Sequence, residues 1–305
     1  LIISLKALNI GKGDEVIIAS NAYIASWLSI SNVGATIIPV EPCSDTFNID
    51  VNKIENMISS KTRVIMPVHL FGQSCEMDKI MSIANNNNIY VLEDNAQAHL
   101  AKYNSKNTGT FGKINATSFY PTKNLGAIGE AGCVTTDDKD LKDFVMSYRN
   151  YGSSKKYIND IIGTNSRLDE IQAGILNVKL KYLQKWNNDR KNIALKYDRF
   201  LSTCDYVKTP KKLEKCDHVY HLYVIQSDKR GQLQRYLAQN GIETSIHYPI
   251  PPHLQKAYSP LGYKQGDFPI AEKLAKTSLS LPIYPGLGDI EIQYICDKII
   301  KFFKN

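Results

Sequence analysis

The chain has 305 residues, of which 43% are hydrophobic and 22% are charged. This composition is ordinary for a globular protein and excludes a disordered or collagen-like chain, and the length suits one large domain or two coupled domains. The formal net charge of +7 is a mild excess. It favours anionic substrates or a nucleic-acid surface, but in a lysine-rich chain it is more often incidental.

Location and metal content are predicted from what the sequence lacks. No apolar run reaches the ~18 residues that a membrane span requires, and the start has neither the basic leader nor the cleavage site of a signal peptide. We therefore expect a cytoplasmic protein with reduced cysteines and no membrane partner. The six cysteines form no Cys-x-x-Cys pair and the histidines no helical His-x-x-x-His pattern, so no metal site is expected.

The first half alternates short apolar runs with helical patterns. Four runs rich in β-branched residues predict buried strands at 16–19, 36–40, 63–68 and 89–92. Three stretches between them predict helices at 25–31, 51–58 and 77–86. A repeat of strand, helix and strand implies right-handed crossovers, which predicts an α/β fold with a mostly parallel central sheet flanked by helices.

The second half predicts a different arrangement. Its elements are one long helix over 168–201, a strand over 219–225, a helix over 231–240 and a final amphipathic helix over 289–303. We place a domain boundary inside the long helix near residue 180. This boundary gives a large domain of residues 1–180 and a smaller α+β domain of residues 181–305.

One candidate for chemistry is Asp94, which follows the apolar run 89–92. In open α/β sheets, ligands bind at the carboxyl ends of the strands, where a carboxylate can pair with a cationic group of a ligand. The same residue type also serves as a helix N-cap or a turn residue. From Asp94 alone, both interpretations stay open.

A second candidate is Lys123, which precedes glycines at positions 126, 129 and 132. Glycines let the backbone approach a ligand closely, and a partly desolvated lysine can lose its proton and become a nucleophile. The alternative is a surface lysine in a flexible turn. The glycine spacing matches neither a Walker loop nor a dinucleotide fingerprint.

Six segments, in order along the whole chain, resemble the motifs of the DegT-type nucleotide-sugar aminotransferases. These are pyridoxal-phosphate (PLP) enzymes with the aspartate-aminotransferase (type I) fold. The segments are 11–26 (GKGDEVIIASNAYIAS), 93–99 (EDNAQAH), 118–132 (SFYPTKNLGAIGEAG), 148–152 (YRNYG), 165–173 (NSRLDEIQA) and 247–255 (HYPIPPHLQ). Together they indicate a large cofactor-binding domain and a smaller C-terminal domain.

The resemblance implies a role for each matching residue. Lys123 would bond covalently to PLP and act as general base and acid, and Asp94 would pair with the pyridine nitrogen. The other cofactor-binding residues would be Gln97 near the 3-hydroxyl, Tyr23 stacked on the ring, and Ser118 and Asn150 at the phosphate, with Asn150 reaching the partner subunit's cofactor. The sugar pocket would be lined by Tyr120, Tyr157, His247 and Tyr248. A homodimer with active sites at the subunit interface is therefore expected.

The implied reaction transfers an amino group from glutamate to a nucleotide-linked keto-deoxysugar. Segments 159–163 and 247–249 favour a dTDP-3-keto-6-deoxyhexose, and a 4-keto substrate stays open. Lys123 argues against the dehydratase branch of the family, which has histidine at that place. A nucleic-acid partner rests on charge alone and is not expected.

The sequence also departs from the family pattern. Family members hold the cofactor phosphate with a Gly-Thr/Ser-x-Ala-Leu turn, whereas this sequence begins at what resembles the middle of the following helix. Ala22 stands where threonine is common, and Leu100 where glycine is common. These departures predict an N-terminally truncated member, and leave open an inactive homologue or fragment that binds PLP or a nucleotide sugar.

Overall fold

The computed structural model describes residues 1–304. In that range the chain forms nine α-helices, which are α1 (Ile2–Ala7), α2 (Ile24–Asn32), α3 (Met77–Asn86), α4 (Lys139–Tyr148), α5 (Glu170–Leu180), α6 (Leu183–Leu201), α7 (Arg230–Gln239), α8 (Pro269–Thr277) and α9 (Asp289–Lys304). Short 3₁₀ turns connect several of them.

The same residues form twelve strands. They are β1 (Glu15–Ala19), β2 (Thr36–Val40), β3 (Thr62–Met66), β4 (Tyr90–Asp94), β5 (Lys102–Tyr103), β6 (Lys106–Asn107), β7 (Ile114–Ser118), β8 (Gly132–Thr135), β9 (Ser153–Lys155), β10 (Ile158–Asn159), β11 (Tyr223–Gln226) and β12 (Ser278–Leu281).

The main sheet confirms the predicted α/β class. Within residues 1–304 it has six strands in the order β2-β1-β3-β4-β7-β8, all parallel except β8, which pairs antiparallel with β7. Its central strands are apolar on both faces, as Ile17, Ile18 and Ile65 illustrate, because helices and loops cover the sheet from both sides. The carboxyl ends of β1, β3, β4 and β7 therefore lie along one edge.

Two hydrophobic clusters account for most of the buried apolar side chains. The larger surrounds the main sheet and draws mainly on residues 5–114. The second lies within residues 193–299 and packs α6, α7 and α9 around the antiparallel pair β11–β12. Two clusters are consistent with a large and a small domain, while the division at residue 180 stays a prediction.

Three elements differ from the sequence prediction. The long helix over 168–201 is two helices, because α5 ends at Leu180 and α6 begins at Leu183, with Tyr182 N–H donating to the Lys179 carbonyl at 3.0 Å. Residues 51–58 form two 3₁₀ turns, and the predicted strand over 219–225 begins only at Tyr223. Hydrophobic period gave the element type correctly at most positions but did not locate these breaks, which depend on tertiary packing.

None of the helices in residues 1–304 is both long and apolar enough to cross a membrane. The same range contains no group of three or more histidine, cysteine or acidic side chains placed to hold a metal ion.

Candidate active site

Asp94 is the last residue of β4, at the carboxyl edge of the parallel sheet. Its side chain is 5% exposed. Ser26 Oγ donates to Asp94 Oδ2 at 2.6 Å, and Ala96 N–H donates to Oδ1 at 3.1 Å. Within residues 1–304 no basic side chain forms an ion pair with it, so this buried carboxylate can still accept a cationic hydrogen-bond donor.

Lys123 lies in the loop that follows β7, the strand beside β4 in the sheet. Its N–H donates to the Tyr120 carbonyl at 2.9 Å, which closes a tight turn. A Cβ on Gly126 would lie 2.4 Å from the Pro121 carbonyl oxygen, so this turn requires glycine there. The turn around Lys123 is therefore a defined backbone geometry, and the Lys123 side chain is partly buried rather than fully exposed.

The charges of Lys123 and Asp94 act on each other across the edge of the sheet. Desolvation lowers the pKa of Lys123 from its usual value of 10.5, and the Asp94 carboxylate partly opposes that shift. A lowered pKa increases the fraction of neutral amine, the form that attacks a carbonyl carbon. The two groups that carry the predicted chemistry are therefore brought together.

Three more predicted residues form one connected wall. Gln97 Oε1 accepts from Phe71 N–H at 2.6 Å, and Gln97 Nε2 donates to the Tyr248 hydroxyl at 3.3 Å. The ring of Tyr248 packs against that of Tyr23, with centroids 4.9 Å apart and planes inclined by 30°. The amide and both aromatic rings are thereby held in one arrangement beside Asp94, whose charge acts on Tyr248.

Besides the buried His221, whose pKa burial lowers well below 6.5, two histidines lie near Lys123 and have lowered pKa values. Burial, with a smaller contribution from Lys123, lowers the pKa of His247, whose Nδ1 lies 2.8 Å from Ser280 Oγ. Burial lowers the pKa of His99 to about 4, and its Nε2 lies 3.0 Å from the Ser118 carbonyl oxygen. Both imidazoles are neutral at pH 7, so they add no positive charge next to the amine.

Ser118 and Tyr120 lie on the same loop as Lys123, and the Ser118 hydroxyl accepts from Tyr120 N–H at 3.2 Å. Asn150 and Tyr157 lie elsewhere, at and beyond the end of α4. Asn150 Oδ1 accepts from Arg167 Nη1 at 3.5 Å, and the side chain of Tyr157 is 88% exposed. The structure therefore groups seven of the ten predicted residues, Lys123 and Asp94 included, and places the exposed Tyr120 on the same loop. Within residues 1–304 it shows no hydrogen bond between these residues and Asn150, which is partly buried, or Tyr157.

Sequence reasoning missed two residues of this site, Ser26 and His99. Both stand inside quoted motifs, where no role was given to them. Ser26 is three residues after Tyr23, the spacing that puts two side chains on one face of a helix, and this signal could have found it. His99 gave no such signal, because its packing on Phe119, at a centroid distance of 5.7 Å, depends on the fold.

The donor set fits PLP. A desolvated amine suits the aldehyde, an acid without an ion-pair partner in residues 1–304 suits the ring nitrogen, and Tyr23 offers an aromatic face to the ring. Within the same residues, His99 Nδ1 is buried without a hydrogen-bond partner, which marks a polar site that accepts another group. This arrangement is the one that a PLP-dependent enzyme needs: an amine for the aldehyde and an acid for the ring nitrogen.

Comparison with known proteins gives the family. Residues 1–300 match the DegT/DnrJ/EryC1/StrS aminotransferase family, and the chain belongs to it. Members of this family are PLP-dependent transaminases, so PLP is the cofactor of this fold. This confirms the predicted resemblance, fold class and cofactor.

The chain is similar to proteins of known activity. It is 47% identical to a dTDP-3-amino-3,6-dideoxy-α-D-galactopyranose transaminase from Aneurinibacillus thermoaerophilus, covering 99% of this chain and 82% of that protein. It is 42% identical to a dTDP-3-amino-3,4,6-trideoxy-α-D-glucose transaminase from Streptomyces venezuelae, covering 97% and 78%. The crystal structure of S. venezuelae DesV in complex with a ketimine intermediate matches with a TM-score of 0.97 and 40% identity over all of this chain and 82% of that one.

Proposed function

We propose that this aminotransferase moves an amino group from glutamate to a nucleotide-linked keto-deoxysugar, a dTDP-3-keto-6-deoxyhexose. The observation that carries the proposal is the desolvated Lys123 amine at the same sheet edge as Asp94. The choice of sugar is supported by the names of the two relatives above, both transaminases of dTDP-3-aminosugars.

The chain's own residues would divide the chemistry between them. PLP, when bound, supplies an electron sink that delocalises negative charge from the reacting carbon. Asp94 would keep the ring nitrogen protonated. Lys123 Nζ would remove the proton from the donor's carbon and deliver it to the cofactor. Gln97 orients the 3-hydroxyl side of the ring, and Tyr23 covers one face. Asp94 is 5% exposed, so water would screen its contact with the ring only weakly.

Substrate contacts would come from His247, Tyr248 and Tyr120 in one chain. The pKa of Tyr248 is raised by burial, and the pKa of His247 is lowered by burial, so both side chains are neutral hydrogen-bonding groups at pH 7. Neutral donors and acceptors suit the hydroxyl and keto oxygens of a sugar. Ser118 would bind the cofactor phosphate.

We also propose a homodimer in which each chain completes the site of the other. Apolar side chains that are exposed in the single chain occur around α5 and β9–β10: Ile128, Tyr157, Ile162 (97% exposed), Ile171 and Val178. Exposed apolar groups of this kind favour an interface. A twofold contact here would bring Asn150 and Tyr157 of the partner subunit to the other chain's cofactor and sugar.

A charge placed on this surface should dissociate the dimer. Ile162→Asp is expected to convert the dimer to monomer in light scattering and to reduce activity, because it puts a desolvated charge in the contact. Ile290→Asp, at an exposed position on α9, serves as the control and should stay dimeric. Unchanged mass in Ile162→Asp would contradict the proposed face.

We place the activity in the cytoplasm. In residues 1–304 all six cysteines are free thiols, which is usual in a reducing compartment.

The activity is tested with two half-reactions. PLP added to the protein should give a visible or near-ultraviolet band that Lys123→Ala lacks, while Lys142→Ala, an exposed lysine, keeps it. Glutamate should then convert bound PLP to the pyridoxamine form, and a dTDP-3-keto sugar should restore the band. Faster restoration by a 4-keto sugar would overturn the keto position, and PLP binding without conversion would favour an inactive binding protein.

A further inference from the structure

The hydroxyl of Ser26 makes the closest side-chain contact of Asp94. The two residues are 68 positions apart, both are buried, and the Oγ–Oδ2 distance is 2.6 Å. A hydroxyl at this distance from a carboxylate is a short, charge-assisted hydrogen bond. Asp94 is the proposed partner of the ring nitrogen. The bond from Ser26 to Asp94 is therefore among the strongest that a neutral side chain can make to it.

The contact fixes the plane of the carboxylate. Oδ2 accepts from Ser26 on α2, while Oδ1 accepts from Ala96 N–H in the loop after β4. Because the two donors come from different elements, rotation of the carboxylate would break at least one bond. Each oxygen keeps a further lone pair, which is what a protonated ring nitrogen needs.

The same helical turn carries Tyr23. Tyr23 is the N-cap of α2, and Ser26 N–H donates to the Tyr23 carbonyl at 3.0 Å. The first turn of α2 holds no acidic residue of its own, so the Asp94 carboxylate complements the positive end of the helix dipole. One turn of helix thus sets both the residue that stacks on the ring and the acid that meets its nitrogen.

We propose that Ser26 is a positioning residue that orients the Asp94 carboxylate toward the cofactor's ring nitrogen and locks that orientation to the Tyr23 stacking position. This inference rests on the proposed role of Asp94. Ser26 acts through Asp94 and touches neither reacting carbon. Loss of the Ser26 hydroxyl therefore weakens binding of the cofactor's ring, and not the covalent bond to Lys123.

The test is to titrate PLP into the protein and to measure the Kd for PLP from the change in absorbance. Ser26→Ala should raise the Kd for PLP on the order of tenfold, the lower end of what a hydrogen bond to a charged group contributes. Ser26→Thr keeps the hydroxyl and should restore the wild-type Kd. Ser29→Ala is the matched control, because Ser29 is buried on the same helix and donates to the Ser26 carbonyl at 2.7 Å instead of to Asp94.

A second readout separates positioning from a merely structural role. A carboxylate that loses one of its two donors competes more strongly for the proton it shares with the ring nitrogen. The shared proton is then held to higher pH, so the pH dependence of the bound cofactor's absorbance should shift to higher pH in Ser26→Ala and not in Ser29→Ala. Should Ser26→Ala unfold at a lower temperature than Ser29→Ala, Ser26→Cys, which has similar size but is a weak donor, is measured in its place.

A double-mutant cycle with Asp94→Ala gives the decisive outcome. If Ser26 acts through Asp94, Ser26→Ala adds no further loss of PLP affinity once Asp94 is alanine. An equal loss in both backgrounds, or a Ser26→Ala variant indistinguishable from Ser29→Ala, would overturn this inference alone. Wild-type PLP affinity and pH dependence in Asp94→Ala itself would instead overturn the proposed role of Asp94, and this inference with it.

Discussion

Two regions on opposite sides of β4 hold adjacent carboxylates with different surroundings. Glu93 and Asp94 are consecutive, so the pleat of the strand points them to opposite faces. Both are buried, with Glu93 fully inaccessible. Each side has a buried carboxylate, so the comparison isolates what hydrogen bonding does to a buried acid.

On the Glu93 side every oxygen is occupied. His69 Nε2 lies 3.0 Å from Oε1, Gly109 N–H donates to the same oxygen at 2.7 Å, and the N–H groups of Phe111 and Gly112 donate to Oε2 at 2.7 and 2.9 Å. Burial raises the pKa of Glu93, but the His69 and backbone contacts outweigh it, and the pKa is lowered from 4.5 overall. This carboxylate ties the loop after β3 to the loop before β7.

On the Asp94 side two donors leave lone pairs available at the edge of the sheet. The lesson is that saturation, rather than burial, separates a structural acid from one that can bind a ligand. A saturated acid has no place for another donor without losing one that it already has.

The largest effect is expected from Asp94→Asn. Activity should fall on the order of 10³-fold, as when one dedicated electrostatic interaction at a reacting centre is removed. The amide keeps the size of the side chain, its oxygen can accept from Ala96 N–H, and its NH2 can donate to the Ser26 hydroxyl, so the melting temperature should change little. Coupled measurement of turnover and thermal unfolding checks this, with exposed Asp205→Asn as the control. Near-normal turnover would mean that Asp94 is no more than a second structural acid.

The opposite pattern is expected from Glu93→Gln. The amide would face the N–H groups of Phe111 and Gly112 with donors of its own, leaving buried donors unpaired, so unfolding should cost about 3 kcal/mol less. Turnover of the protein that stays folded should change far less than in Asp94→Asn. Urea unfolding of this variant and of exposed Glu55→Gln at pH 7 gives the comparison. Equal stability of the two variants would contradict the structural role.

The smallest effect is expected in the pH dependence of the stability that Glu93 contributes. Because the pKa of Glu93 is lower in the folded chain than its usual 4.5, its contribution to stability is complete above pH 4.5. That contribution is lost as the pH falls below 4.5 and through the folded-state pKa. The stability difference between wild type and Glu93→Gln should therefore be constant above pH 4.5 and shrink below it. A difference that grows in acid would refute the sign.

Much of the fold could be predicted from the chain. The buried strands β1 to β4 and helix α3 appear where apolar runs and helical period placed them, because both faces of the sheet are covered and the pattern is continuous. The break between α5 and α6 could not be predicted, since no proline or glycine marks residues 181–182. Leu176 and Leu183, on either side of the break, pack in the cluster with Leu125, whereas α6 joins the second hydrophobic cluster only from Ile193 onward.

Leu100 illustrates a sequence signal whose cause only the structure shows. The resemblance expects glycine at this position, and Leu100 has φ 62°, the left-handed region in which a side chain is strained. Glycine pays no such cost, which accounts for the family pattern. The chain keeps leucine there, packed against the cluster that includes Leu125 and Leu176.

The sequence by itself determined which residues could do the chemistry, because Lys123, Asp94, Gln97 and Tyr23 stand in recognisable motifs and short-range pattern sets the elements that carry them. Only the tertiary structure decided what each acid does. Apart from Ala96, which is two positions from Asp94, the side-chain hydrogen-bond partners of Glu93 and Asp94 come from residues 16 to 68 positions away. Such contacts depend on how strands and loops meet in space, and no local pattern encodes them.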